Sequence, residues 1–171
     1  MKTIGSHPGA ILFRLGIMVI LIAILVAVFF TYVADVQKNT ERAAITRTRG
    51  LINSSLAVVF ATYAVQSRMS ELNDIDDANP FEFLREYQML PATYAGEIEH
   101  ALNDRLKAGW YYQGHLSRVA YKPRYLDENF YFELVLDYDD INQSGRFEMD
   151  ADAFKGLYFA EIDISKDSEE R

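Results

Sequence analysis

The sequence predicts an α+β protein in which a long N-terminal helix packs on a small antiparallel sheet. Two changes of hydrophobic pattern along the 171 residues lead to this fold class. An unbroken apolar run opens the chain and is followed by an apolar stripe with the period of a helix, whereas the residues after 107 alternate with a period of two, as in strands. The stripe and one face of the sheet can cover each other.

The opening apolar run extends from Leu15 to Ala34 and carries no charge. Its 20 residues, at about 1.5 Å each, reach roughly 30 Å as a helix, enough to cross a bilayer. The run has no polar face, which disfavours a buried helix of a soluble protein. A cleavable secretory signal is disfavoured because its core would be shorter and Tyr32 stands where a small residue belongs. We therefore expect a permanent transmembrane helix, flanked by Arg14 and Tyr32.

Basic residues are more numerous after this run than before it, so their count alone does not favour a cytoplasmic N-terminus. The opening segment is short, however, and a long C-terminal domain can translocate largely regardless of its charge. We therefore expect the N-terminus inside. The first 71 residues carry a net charge of +4 and the other 100 a net charge of −12, which disfavours nucleic acid as a partner.

An amphipathic helix is predicted to continue from the membrane to about residue 71. Its apolar residues recur at helical spacing on one face: Ile45, Ile52, Leu56, Val59 and Tyr63. Gly50 is a weak point of this helix and a candidate hinge. A short helix follows from Pro80 to Leu90, with Asn79 as its N-cap and Glu82 completing a capping box. The segment from Tyr94 to Lys107 is read as helical or irregular.

The remaining elements are strands. A hairpin is predicted to turn near Gln113 and Gly114, and the segment 130–138 reads as a strand with its even-numbered residues facing the core. The segment 156–164 supplies a final strand. In total we expect three to five antiparallel strands.

Five stretches narrow the class of protein: N-P-F-E-F-L, P-A-T-Y-A-G-E, G-W-Y-Y-Q-G-H-L-S-R-V-A-Y-K-P-R, D-I-N-Q-S-G-R-F and G-L-Y-F. They resemble the biogenesis protein F family of mannose-sensitive haemagglutinin (MSHA) type IV pili, and the order of elements resembles a pilin or pseudopilin. The resemblance implies an inner-membrane accessory protein with a periplasmic pilin-like domain. Its partners would be pilus assembly components or pilin subunits, besides the lipid bilayer around its anchor.

On this reading the chain divides into a short cytoplasmic N-terminus (1–14), a transmembrane helix (15–34), a membrane-proximal helix (35–71), a pilin-like α+β domain (72–164) and a disordered tail (165–171). A polymerising pilin would be cut after a Gly and would carry Glu as the fifth residue thereafter. Cutting after Gly9 places Arg14 there, and arginine would repel the amine that this Glu attracts. We therefore expect an assembly component that stays in the inner membrane, and a minor pilin processed after Gly9 is the alternative.

The best site-like segment surrounds Asp140. The residues Asp140, Asn142 and Ser144, followed by Gly145, match the first half of a calcium-binding loop. The twelfth position, where a bidentate Glu should close the coordination shell, is Ala151. We interpret the segment as an ordinary polar connection between strands and expect no cofactor. The alternative is that the Asp140 loop binds calcium and that the protein is a membrane-tethered sensor or binding module.

Aromatic residues supply the candidate partner contacts, because Trp and Tyr dominate interface hot spots. Tyr131 should face outward from its strand, and Trp110 is the second candidate. The chain has no cysteine, no phosphate-binding loop and no nucleophile motif, so we expect no catalytic residue and no enzyme.

Overall fold

The computed structural model describes residues 8–75, 78–86 and 88–163. Helix α1 (Pro8–Val65) contains both the apolar run and the striped segment, and it is unbroken at Gly50. It ends six residues before the predicted boundary at 71, because Ser67 adopts a left-handed conformation with φ of 56°. Arg68 N then bonds to Tyr63 O at 2.9 Å, which closes the helix in the geometry usually provided by glycine.

Contacts divide the chain into two compact units, Met1–Thr40 and Glu41–Arg171. In the first unit the side chains from Leu12 onward are almost all exposed. Among the described residues, α1 is the one helix that is long and apolar enough to cross a membrane, and it lies near the N-terminus, where a signal sequence would pass the same test.

The second unit is built on one five-stranded sheet. Its strands are β1 (Tyr94–Ile98), β2 (Gly109–Gln113), β3 (Arg118–Lys122), β4 (Phe130–Asp139) and β5 (Ala153–Ile162), adjacent in that order. The fold class is α+β as predicted, but the sheet is mixed, because β1 pairs parallel with β2 while the other three pairs are antiparallel.

The prediction of a helical or irregular segment from Tyr94 was wrong for its first five residues, which form β1. Gly96 has a φ of +111° and lies where the register with β2 shifts. A parallel partner needs a crossover, here residues 99–108, and leaves no hairpin signal in the sequence. The predicted hairpin is confirmed, with Gly114–Leu116 forming a short turn between β2 and β3.

The apolar stripe of α1 packs on the sheet, as predicted. Ile52 and Leu56 are completely buried, and Tyr63 lies against the same core. The sheet contributes a row of aromatic rings, in which Phe132 lies 5.4 Å from Trp110 and 5.1 Å from Phe159, measured between ring centroids. The predicted assignment of the core-facing side of β4 is therefore confirmed.

Helix α2 (Pro80–Glu86) has the predicted N-cap, because Asn79 Oδ1 accepts the Phe81 amide at 3.0 Å. Glu82 pairs with Arg85 at 2.7 Å. The helix ends four residues before the predicted Leu90, where Gln88 adopts a φ of 57°. The predicted tail 165–171 lies outside the described residues, as does the last residue of the predicted final strand.

Candidate functional site

Tyr131 lies on the face of the sheet that is turned away from α1. Strand residues alternate between faces, so the burial of Phe132 and Leu134 against the helix places Tyr131 on the opposite side. Its ring is half-buried, and the guanidinium carbon of Arg118 lies 4.8 Å from the ring centroid. Such cation–π stacking holds the ring in one orientation while leaving part of it accessible.

Three strands contribute side chains around Tyr131, and Glu133 lies on the same face between Tyr131 and Val135, opposite Arg118. Strand β5 places Ile162 opposite Tyr131, and Tyr158 opposite Val135. Tyr158 is 40% exposed. We call this surface the outer-face patch; it consists of Arg118, Tyr131, Val135, Tyr158 and Ile162. An open cleft of about 600 Å³ adjoins it where β4 begins and β5 ends.

The crossover 99–108 covers the rest of this face. The Tyr111 hydroxyl donates to Lys107 O at 2.9 Å, and Gln113 Nε2 donates to His100 O at the same distance. Tyr111 and Gln113 are almost completely buried beneath this segment. The outer face is therefore accessible over β4 and β5 and covered over β2.

Trp110 is 1% exposed and lies inside the aromatic row of the core. A side chain in this position has no surface to offer a partner. The prediction that Trp110 contacts a partner is therefore wrong. The alternation of β2 turns the indole toward the core that it shares with the stripe of α1.

The residues Asp140, Asn142 and Ser144 do come together in one loop. Both carboxylate oxygens of Asp140 accept loop amides, from Ser144 at 3.0 Å and from Gly145 at 2.8 Å. Asn142 Oδ1 accepts the Ser144 amide as well, at 3.0 Å. Gly145 has the left-handed φ of +72° that this tight turn requires.

The later acids of the segment take part in the same internal network. Asp152 accepts the amides of Ile141 and Glu148 at 3.0 and 2.8 Å, and Asn142 Nδ2 donates to Glu148 Oε2 at 2.9 Å. Within the described residues, no three His, Asp or Glu side chains are arranged to hold a metal ion. The oxygens are used to shape the loop, and the loop's role as a binding site stays a prediction to be tested.

Saturating calcium is expected to leave the melting temperature of the protein unchanged. Calcium takes six to eight oxygen ligands, whereas this loop lacks a carboxylate at its twelfth position. The measurement is thermal unfolding with calcium and with a chelator. A stabilisation seen in the wild type and lost in Asp140→Asn would establish a calcium site instead.

Polar side chains of α1 that sequence reasoning did not single out bind the sheet. Asn53 Oδ1 accepts the Phe159 amide at 2.7 Å, and Arg49 Nε donates to Phe159 O at 3.2 Å, so α1 binds the backbone of β5. Glu41 accepts the Tyr121 hydroxyl at 2.9 Å. One signal could have indicated Glu41, because it lies one helical turn before Ile45 on the line of the buried stripe.

Burial, together with the hydrogen bond to Glu41 and the charge of that carboxylate, raises the pKa of Tyr121 well above its usual value. Desolvation raises the pKa of Tyr94 and Tyr111 in the same direction. In each case the folded domain favours the neutral phenol.

The free energy of unfolding is therefore expected to fall as the pH rises above about 10. The unfolded chain releases the tyrosine proton there while the folded domain retains it, so deprotonation stabilises the unfolded state. Each such tyrosine contributes a slope of up to about 1.4 kcal/mol per pH unit. Urea unfolding at several alkaline pH values measures this slope, which should be smaller in Tyr121→Phe. Equal slopes in the two proteins would contradict the assignment.

Arg14 and Tyr32, the predicted flanks of the membrane helix, both lie on α1 with exposed side chains. Comparisons with protein-family models, curated proteins and solved structures return no match to this chain.

Proposed function

We propose that this chain is a single-span protein of the bacterial inner membrane that serves as an accessory component of MSHA-type pilus biogenesis. Its domain lies in the periplasm and acts by binding pilus assembly components or pilin subunits. The anchor keeps this domain at the membrane surface. No catalytic step is assigned to it, and its contribution is binding and positioning.

One observation carries the proposal. The single helix α1 contains an exposed apolar run within the first compact unit of the chain and a buried stripe within the second unit. An apolar surface of this kind needs lipid or protein around it, and the length of the run suits a bilayer. The helix stripe packed on a sheet agrees with the pilin-like order of elements that the sequence resemblance implies. The resemblance supplies the link to pili.

The outer-face patch is the surface we assign to the partner. Tyr131 and Tyr158 offer aromatic area with a polar tip, and Arg118 adds a cation held by Tyr131 and by Gln113, whose Oε1 accepts its Nε at 2.7 Å. Aromatic and arginine side chains are the commonest anchors of protein interfaces. The patch is therefore preorganised for contact.

Photo-crosslinking from position 131 in the native membrane tests this assignment. A crosslinker at Tyr131 should capture a pilus assembly component or a pilin, whereas one at Tyr125, which is 37% exposed in the β3–β4 loop, should not. Tyr131→Ser should reduce capture from position 158, with Tyr125→Ser as the matched control. Equal capture by both positions would count against the patch.

Two further measurements separate the alternatives. An alkaline phosphatase fusion at the C-terminus should be active if the domain is periplasmic, and a stable but inactive fusion would contradict this topology. The intact mass of the protein from its native membrane should be that of the full chain. A mass lacking residues 1–9 would favour the minor pilin.

A further inference from the structure

The carboxylate of Glu41 fills an anion-binding concavity formed by a loop of its own domain. Three consecutive backbone amides point at it: Arg124 N lies 2.7 Å from Oε1, and Tyr125 N and Leu126 N lie 2.7 and 3.1 Å from Oε2. With the hydroxyl of Tyr121 the carboxylate accepts four hydrogen bonds. Glu41 is only 8% exposed. Successive amides aimed at one point form a nest of the kind that binds anions.

These bonds connect segments that are far apart in the sequence. The amides belong to the loop 123–129 between β3 and β4, outside the strand ladder. Glu41 is the first residue of the second compact unit, and it lies one turn before Ile45, where the buried stripe begins. The contact therefore joins the loop to α1 at the point where the domain starts.

Most of this loop is exposed, at residues 124, 125 and 127–129. The Arg124 guanidinium stacks on its own neighbour Tyr125, with 5.4 Å from its carbon to the ring centroid, and Leu126 is only partly buried against the core. The adjoining strands, by contrast, are paired with their neighbours in the sheet along their length. Segments with few buried contacts open locally before the domain unfolds.

We propose that Glu41 is a latch that closes the loop 123–129 onto α1, and that this latch opens while the sheet stays folded. When the carboxylate withdraws, three amides lose a charged acceptor together, so closing and opening are cooperative. The open state uncovers Leu126 and frees the Tyr121 hydroxyl beside the start of the packed helix. The latch follows from the fold alone and does not depend on a role in pili.

Hydrogen exchange of the full-length protein in detergent micelles tests the latch. Glu41→Gln should accelerate the exchange of amides 124–126 by about tenfold or more, because hydrogen bonds to charged groups are among the strongest. A glutamine has one acceptor oxygen, and its NH₂ group faces the remaining donors. The amides of β4 should stay near their wild-type rates. Asp35→Asn, an equal charge change at an exposed position of α1, should alter neither set.

Two outcomes would overturn the proposal. Unchanged exchange at 124–126 would show that Glu41 does not hold the loop. An equal acceleration at 124–126 and in β4 would show that Glu41 contributes only to global stability. If Glu41→Gln does not fold, Glu41→Asp, which keeps the charge and shortens the reach, is measured in its place, and the same two patterns decide.

Discussion

Replacing Ile52 with Ala is expected to lower the free energy of unfolding by about 2–5 kcal/mol. Ile52 is fully buried in the stripe by which α1 packs on the sheet. The substitution removes apolar area from the core and leaves a cavity that a helix on a sheet cannot readily collapse. This loss is large compared with the total stability of a small domain, which is about 5–15 kcal/mol.

The measurement is urea unfolding of the full chain in detergent micelles, followed by the fluorescence of its one tryptophan. Trp110 is buried, so its emission reports on the core. Val58→Ala is the matched control, because Val58 lies on the same helix and is 48% exposed. The control should stay within about 0.5 kcal/mol of the wild type. Similar losses in both variants would mean that the stripe does not face the sheet.

Placing Asp at both Leu21 and Leu25 is expected to release the protein from the membrane. The apolar run favours membrane placement by about 4–8 kcal/mol, and each Asp near the centre of a span opposes it by about 2.5–3.5 kcal/mol. Two such charges cancel most of the preference. They also lie one turn apart on α1, so they repel each other.

The fraction of the protein that remains in the membrane pellet after an alkaline carbonate wash measures this effect. The wild type and a control with Ile at both positions should remain in the pellet, and the double Asp variant should appear in the supernatant. A wild type that washes off would argue against the anchor. A double Asp variant that stays would show that something other than the apolar run holds the protein.

The spacing of apolar residues along the sequence was sufficient to predict the elements that bury one continuous face. The stripe containing Ile52 and Leu56 was predicted correctly, as were the hairpin and the inward side of β4. For the stripe and for β4 the signal repeats over several residues of one element. A helix or strand that buries one face has the same periodic pattern of apolar residues, whichever element packs against that face.

The ends of both helices were predicted too far along the chain, because single residues with left-handed backbone end them earlier. Ser67 and Gln88 end α1 and the Pro80–Glu86 helix at positions where glycine or asparagine would have been the usual signal. Strand β1 was missed for a related reason, since a parallel partner reached through a crossover leaves no turn signature beside the strand.

The candidate site, too, was predicted only in part from the sequence. Alternation along β4 was enough to place Tyr131 on the outer face, but it could not show that Arg118 from β3 would stack on it. Trp110 was misplaced because its residue type suits both a core and an interface, and only packing distinguishes them.

The sequence by itself determined the apolar run, the buried stripe of α1 and the inward face of β4, because each depends on a periodic pattern within one segment. Only the tertiary structure decided that β1 is parallel, that Trp110 is core and that Glu41 is the acceptor for the loop 123–129. The physical reason is that hydrogen bonds and packing contacts between residues some 80 positions apart depend on the folded path of the chain, and no local pattern encodes them.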